Sequence, residues 1–291
     1  MNIGLVITTL GREQGLRRLL QSLVGQVAAA DVIVIVAQRN LDAVRSLASE
    51  FAALGCEIIV TTSPMGASRG RNTGVAALPA RGDYLLHFPN DTTWFPPNTI
   101  TGIRAMPPEV GVGAVTVTDE NGPKFQLPTV GTPLDRWNVW TVIEMGLLIR
   151  RSMFTQVGGF TESIGTGAST PWQSGEATDL LLRLLAQRAT DSFIWLPADI
   201  AIGGISDPQG LSNGDRRRKL RTYARGFGRL LSVWRYPLYW RAAALIGGLL
   251  FGVRNHHTFR AADGWWVFVG RFEGLTGRCF GSTSKMSAVD R

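Results

Sequence analysis

The sequence predicts an α/β domain on a Rossmann-like, mostly parallel sheet, followed by a helical appendage rich in basic and aromatic residues. Three observations carry this. Residues 1–120 alternate short β-branched apolar runs with stretches that are apolar at helical spacing. Those runs are apolar throughout, as strands covered on both faces are. From Leu211 onward the composition shifts abruptly toward arginine and aromatics.

The elements follow in order. Ile3–Thr8 reads as the first strand, and Leu16, Leu19, Leu20 and Leu23 mark one face of a helix. Val32–Val36 is the second strand; Val44, Leu47, Phe51 and Leu54 form the next helical stripe, closed by Gly55. Glu57–Thr61 is the third strand, a short helix spans about Ser68–Ala77, and Tyr84–Phe88 is the fourth strand. Between 111 and 210, short strands are expected at Val112–Val117 and Thr141–Ile149. A helix is expected from Ser174 to Gln187, with Leu180, Leu181, Leu184 and Leu185 on one face and Ser174 as its cap. No linker, low-complexity tract or repeat interrupts this stretch. Residues 1–210 therefore read as one domain and 211–291 as a helical, membrane-associating tail.

Composition bounds the function. A chain of 291 residues, 45% hydrophobic and 18% charged, buries a substantial core. Cys56 and Cys279 fit no metal or redox spacing, as expected of incidental thiols in a reducing compartment. The opening "MNIGLVITTLGR" is too short an apolar stretch for a secretory signal. The net charge of +8 is concentrated: Leu211 onward holds 15 Lys and Arg against 4 Asp and Glu. Such a tail meets an anion, a membrane surface or nucleic acid. Arg221, Arg225 and Arg229 fall four apart, and Trp234, Tyr236, Tyr239 and Trp240 precede the apolar run Ala242–Val253. That run is shorter than the roughly 20 residues a bilayer span requires. A basic amphipathic segment with interfacial aromatics lies on the membrane surface; the alternative is a packed helical pair with solvated arginines. No helix-turn-helix, zinc-finger, RRM or KH pattern occurs, so nucleic acid is not an expected partner.

Three segments carry chemistry. In "HFPNDTTWFPP" a strand ends at Asp91, flanked by Asn90 and Thr92; strand carboxyl ends are where open α/β sheets bind ligands, although Asn-Asp also makes simple turns. "GASRGRNTG" offers small residues for close backbone approach, with Arg69 and Arg71 suited to phosphate, but it is neither a P-loop nor a dinucleotide fingerprint. "GTGASTPWQSGEATDLLLRL" places Glu176 and Asp179 on one face of a helix start behind a Gly-rich loop. These acids either complement the helix dipole or present a general base beside a mobile loop, with Trp172 as a flat platform for a ring.

Taken together and in this order, "IGLVITTLGR", "GASRGRNTG", "FPNDTTWFPP" and "VGGFTESIGTGASTPWQSGEATDLLLRL" resemble the family 2 glycosyltransferases of the GT-A fold, bacterial enzymes of cell-surface polysaccharide assembly. The resemblance spans roughly residues 1–205. It implies inverting transfer of a sugar from a nucleotide-sugar donor to a saccharide or lipid-linked acceptor, at the cytoplasmic, inner face of the cell membrane. By the same resemblance Thr8, Thr9, Arg71, Asn72, Asn90, Asp91 and Thr92 contact the nucleotide sugar. Trp172 contacts the acceptor, and Glu176 or, in reserve, Asp179 is the base; Glu144, within the apolar "TVIEMGLLIR", reads separately as a residue for acceptor or donor hydroxyls or as one half of an internal salt bridge. Asp91 is the expected ligand of a divalent metal, Mg2+ or Mn2+.

The chain also departs from the family pattern. Ala37 stands where an acid follows the second strand, Asn90-Asp91-Thr92 replaces three acids, and Ala177 follows Glu176 in place of Asp. Three readings accommodate this: a metal-light enzyme in which Arg69, Arg71 and the tail's arginines neutralise the diphosphate, a weak metal site of Asp91 and Asp207, or a non-catalytic nucleotide- or glycan-binding relative.

Overall fold

β-branched runs become strands where both faces can be covered. The structure, a computed structural model, describes residues 1–189, 192–204 and 211–281. Its first part winds as β1 (Ile3–Thr9), α1 (Glu13–Ser22), β2 (Val32–Ala37), α2 (Leu41–Glu50), β3 (Glu57–Thr62), α3 (Ala67–Ala77) and β4 (Leu85–His87). β1 pairs in parallel with β2 and β4, and β2 with β3. Every residue of β1 and β2 is buried, which is why neither shows an in/out alternation. Leu16, Leu19 and Leu20 of α1 and Val44 and Leu47 of α2 join Leu5, Ile7, Ile33 and Ile35 in one core cluster.

After α4 (Thr99–Arg104) come β5 (Val112–Ala114), β6 (Thr116–Asp119), β7 (Gly122–Pro123), β8 (Leu147–Arg150), α5 (Arg151–Gln156), α6 (Glu176–Ala186), β9 (Phe193–Trp195) and β10 (Ala201–Gly203). The large sheet runs β3-β2-β1-β4-β8-β5-β9, and a small one runs β10-β6-β7. β8 is antiparallel to both neighbours, so the sheet is mostly but not wholly parallel.

Two expectations in this region fail for a physical reason. Val112–Val117 is not one strand, because the chain leaves the large sheet after Ala114 and enters the small one at Thr116. Thr141–Ile149 becomes strand only from Leu147; single 3-10 turns at Val139–Thr141 and Glu144–Gly146 precede it. Gly146 packs so close to Val115 that a Cβ there would lie 2.5 Å from the Val115 carbonyl oxygen. That contact, with Glu144 engaged by Arg71, overrides the strand propensity of the apolar run.

The described residues form two compact units. One comprises Met1–Glu162 and the segment beginning at Glu176; the other comprises Ser163–Gly175 and the C-terminal helices. The boundary expected at 210 and the acid expected at Asp207 lie outside the described residues.

Within the second unit, α7 (Asn213–Val233), α8 (Leu238–Leu249), α9 (Phe251–Arg254) and α10 (Asp263–Thr276) follow one another. α7 and α10 approach backbone to backbone through glycine: a Cβ on Gly228 would meet Arg271 O at 2.2 Å, and one on Gly274 would meet Arg225 O at 2.1 Å. Two acids of α10, Asp263 and Glu273, are wholly buried. Arg216 and Arg217 reach Asp263, and Arg221 and Arg225 reach Glu273. Much of the basic stripe therefore meets an internal anion. Burial pushes the Glu273 carboxyl up, but Arg221, Arg225 and the Phe280 N–H outweigh it and hold the group below the usual range. Among the described residues no helix is long and apolar enough to cross a membrane. α8 nevertheless exposes Leu238, Tyr239, Ile246 and Leu249 to solvent.

Candidate active site

The carboxyl ends of β1 and β4 meet at Thr8, which bridges to Asn90. Beside them Asp91 is wholly buried. Its Oδ2 accepts hydrogen bonds from Thr9 Oγ1 at 2.8 Å and Arg12 Nε at 3.1 Å, and its Oδ1 accepts from Arg12 Nη2 at 2.6 Å. The sequence arranges this through Gly11, whose φ of +81° is the left-handed conformation that glycine adopts without strain. That turn carries Arg12 back over the strand end, and the Gly11 N–H bonds Thr9 Oγ1 at 2.9 Å. Gly15 of α1 lies directly on the Asp91 carbonyl; a Cβ there would approach it to 2.1 Å. Asn90 closes its own turn, its Oδ1 accepting from the Thr92 N–H and hydroxyl at 3.0 and 2.5 Å. Trp94 lies under the Arg18 guanidinium, 3.7 Å from ring centroid to Cζ.

A second cluster centres on Arg71 of α3, which is 2% exposed. Its Nη1 donates to Glu176 Oε1 at 3.0 Å, and its Nη2 stands 3.5 Å from Glu144 Oε1. The Arg71 Nε–H is buried without a partner among the described residues. Burial is the main cause that pushes the Glu176 carboxyl up; the charge of Glu144 adds to it, and Arg71 offsets only part. Two carboxylates thus share one buried guanidinium, Glu176 buried with it and Glu144 partly exposed.

Met145 joins the two clusters. Its sulfur lies 3.0 Å from Asn90 Nδ2 and 3.3 Å from Thr93 Oγ1, and Glu144 precedes it in the chain. Its carbonyl oxygen contacts His87 Nε2 at 2.5 Å. Burial pushes His87 down to about 4, so the ring is neutral, and it packs edge-on against Phe95. α3 is set against β1 by Gly70, where a Cβ would meet Thr8 Cγ2 at 2.8 Å.

The structure thus brings together Thr8, Thr9, Arg71, Asn90, Asp91, Thr92, Glu144 and Glu176. The other expected residues stand differently. Asn72 holds the Phe160 backbone with both ends of its amide, accepting from the N–H and donating to the carbonyl at 2.9 Å each. Asp179 accepts from Thr161 Oγ1 at 2.7 Å and Arg183 Nε at 3.0 Å, and Arg183 in turn holds the Val157 and Gly159 carbonyls. Trp172 belongs to the second unit, where Arg229 lies 5.3 Å over its ring. Ser174 does not cap α6; its hydroxyl donates to the Tyr223 carbonyl, and Gly175 with φ +98° enters the helix instead. Sequence reading singles out neither Arg12 nor Arg18; for Arg12 the signal available is the Gly-Arg turn at the end of the first strand. Concave surfaces elsewhere, lined by Arg45, Cys56 and Ile58 or by Val110, Met153 and Phe193, share no residue with these clusters.

Residues 5–158, more than half of the chain, match the family described as "Glycosyl transferase family 2". The chain belongs to glycosyl transferase family 2. No curated protein matches it by sequence. Among solved structures it is similar to S. aureus TarS 1-349 in complex with UDP, with a TM-score of 0.57 and 15% identity over 97% of this chain and 93% of that one. It is similar also to the mannosyltransferase PcManGT from Pyrobaculum calidifontis in complex with GDP-Man and Mn2+, with a TM-score of 0.56 and 12% identity over 94% and 86%. At these identities the likeness speaks for the fold, which is GT-A-like.

The Mn2+ of that neighbour raises the question of fit. Magnesium and its kin take several hard oxygen ligands, carboxylates foremost. Among the described residues no three His, Cys, Asp or Glu side chains gather. The acid at the end of β4 has both oxygens bonded by Arg12 and Thr9, and its neighbours Asn90 and Thr92 are uncharged. This donor set does not fit a divalent cation at Asp91.

Proposed function

We propose that this glycosyltransferase moves a hexosyl group, with inversion, from a nucleoside-diphosphate sugar to a hydroxyl of a saccharide or lipid-linked acceptor in bacterial surface-glycan assembly. The observation that carries the reading is Glu176: it is buried, its carboxyl is pushed up, and it is joined through Arg71, Glu144 and Met145 to the strand ends of β1 and β4. In the reaction the acceptor oxygen forms a bond to the anomeric carbon and that carbon's bond to the diphosphate oxygen breaks. The leaving diphosphate takes the electron pair, and the hydroxyl proton passes to Glu176. Thr8, Thr9, Asn90 and Thr92 face the donor, and Glu144 serves the acceptor. Asp179, bonded by Thr161 and Arg183, supports the helix start and is the reserve base.

The exposed Leu238, Tyr239 and Ile246 of α8, with exposed Arg235 and Arg254 nearby in sequence, support a peripheral position on the inner face of the cell membrane. A second reading, a non-catalytic nucleotide- or glycan-binding relative, draws on the engagement of Asp91 by Arg12.

The test is a panel of nucleotide sugars read by thermal stabilisation and by nucleotide release, for the native chain and Glu176→Gln. A donor that stabilises both proteins, with release about 10²–10⁴-fold slower in Glu176→Gln, supports the transferase. Stabilisation without release in the native chain supports the binder.

A further inference from the structure

The acid at the end of β4 is not free to serve a metal, and that is informative in itself. A guanidinium has five N–H donors. Arg12 gives those of Nε and Nη2 to Asp91. Among the described residues no hydrogen bond engages its Nη1, and its side chain is 52% exposed against 1% for Asp91. One edge of the fork is therefore anchored in the protein and the other faces outward, at the strand ends where open α/β sheets take ligands. The local charge agrees. Because Asn90 and Thr92 are neutral, the Asp91–Arg12 pair sums to zero, with its cationic end outward. A diphosphate approaching this edge meets no net negative charge that a metal ion would have to cancel. Thr9 fixes the carboxylate from behind and Gly11 fixes the turn, so the cation is held in place before any ligand arrives.

We propose that Arg12 is the resident cation of the donor site, and that its outward N–H groups bind the diphosphate of the nucleotide sugar where a divalent ion does not fit. The inference rests on the nucleotide-sugar reading above. It makes Arg12 a substrate-contacting residue and Asp91 its positioning partner. It also accounts for the pairing of an acid with neutral neighbours: two further carboxylates would restore the charge that only a metal could offset.

The experiment is calorimetric binding of UDP and of GDP, each in EDTA and in Mn2+, to the native protein, Arg12→Lys, Arg12→Met, and Arg12→Met with Asp91→Asn. The double variant removes both charges, so no unpaired carboxylate is left buried to unfold the protein, and a melting curve without nucleotide checks each fold. The native protein is expected to bind one nucleotide with affinity that changes less than about twofold between EDTA and Mn2+. The double variant is expected to lose about tenfold or more, with Arg12→Lys intermediate because a point charge replaces a fork. Binding that requires Mn2+ overturns the role of Arg12 while leaving the transferase standing. So does a double variant that binds in EDTA as the native protein does. Binding of neither nucleotide under any condition overturns both.

Discussion

Glu144 and Glu176 share one arginine, and the sharing has a sign. Burial and the charge of Glu144 both raise the Glu176 carboxyl. A base must be deprotonated to accept a proton, so the acidic limb of the rate profile is expected above the ordinary carboxylate range, with activity rising as pH rises through it. Glu144→Gln removes one raising cause and leaves Arg71 to act on Glu176 alone. The limb is then expected to move to lower pH, which a kcat/KM profile of both proteins measures; a limb that stays put separates Glu176 from the observed titration. At this scale the sequence was informative about residue types and weak about partners. Asp91, Arg71 and Glu176 stood out through strand ends, small residues and a helix start. That Arg12 would hold Asp91 was not legible, because the contact joins positions 79 apart and depends on the left-handed turn at Gly11. The resemblance places Asn72 with Arg71 at the donor, yet one position along a helix turns a side chain by about 100°, and its amide meets the Phe160 backbone.

Periodicity recovered the elements wherever one rule governed. β1 to β3 and α3 lie within a residue of their expected bounds, because continuous apolar runs and a short small-residue helix each had a single compatible structure; the second helical stripe instead breaks, α2 ending at Glu50 and a separate 3-10 turn, Ala52–Leu54, leading to Gly55. It failed where tertiary contacts chose between structures. Nothing in "VGVGAVTVTD" says that the chain changes sheets at Val115, and nothing local tells that Gly146 must fit against that residue. In the second unit the glycines of α7 and α10 are, in isolation, weak helix formers. Packed, they are what lets the helices touch, since a Cβ on Gly270 would lie 2.2 Å from Arg221 O. Gly270→Val is expected to force the helices apart, to loosen the pairing of Arg221 and Arg225 with buried Glu273, and to cost about 3 kcal/mol or more. Denaturant unfolding measures this; a change within about 0.5 kcal/mol would mean the approach is not needed.

A count of basic residues in the tail overstates how much positive charge it presents. Arg216, Arg217, Arg221 and Arg225 all turn to two buried acids, so fewer cations face outward than a count of the tail suggests. The peripheral-membrane reading then leans on exposed apolar side chains as much as on charge. Leu238→Glu with Ile246→Glu, both at exposed positions, is expected to reduce flotation with anionic vesicles at least about fivefold while leaving the melting temperature nearly unchanged. Equal flotation would assign any membrane contact elsewhere. One feature of chain tracing reaches further. Ser163–Gly175 lies between elements of the first unit yet is built into the second, with Ser174 bonded to the Tyr223 carbonyl and Gly226 fitted against it. The C-terminal helices are thus not a detachable module. A recombination that exchanged them between relatives at one crossover would separate the Trp172 loop from the helix that shapes it, so loop and helices must be inherited together, and a viable chimera needs both segments from the same parent.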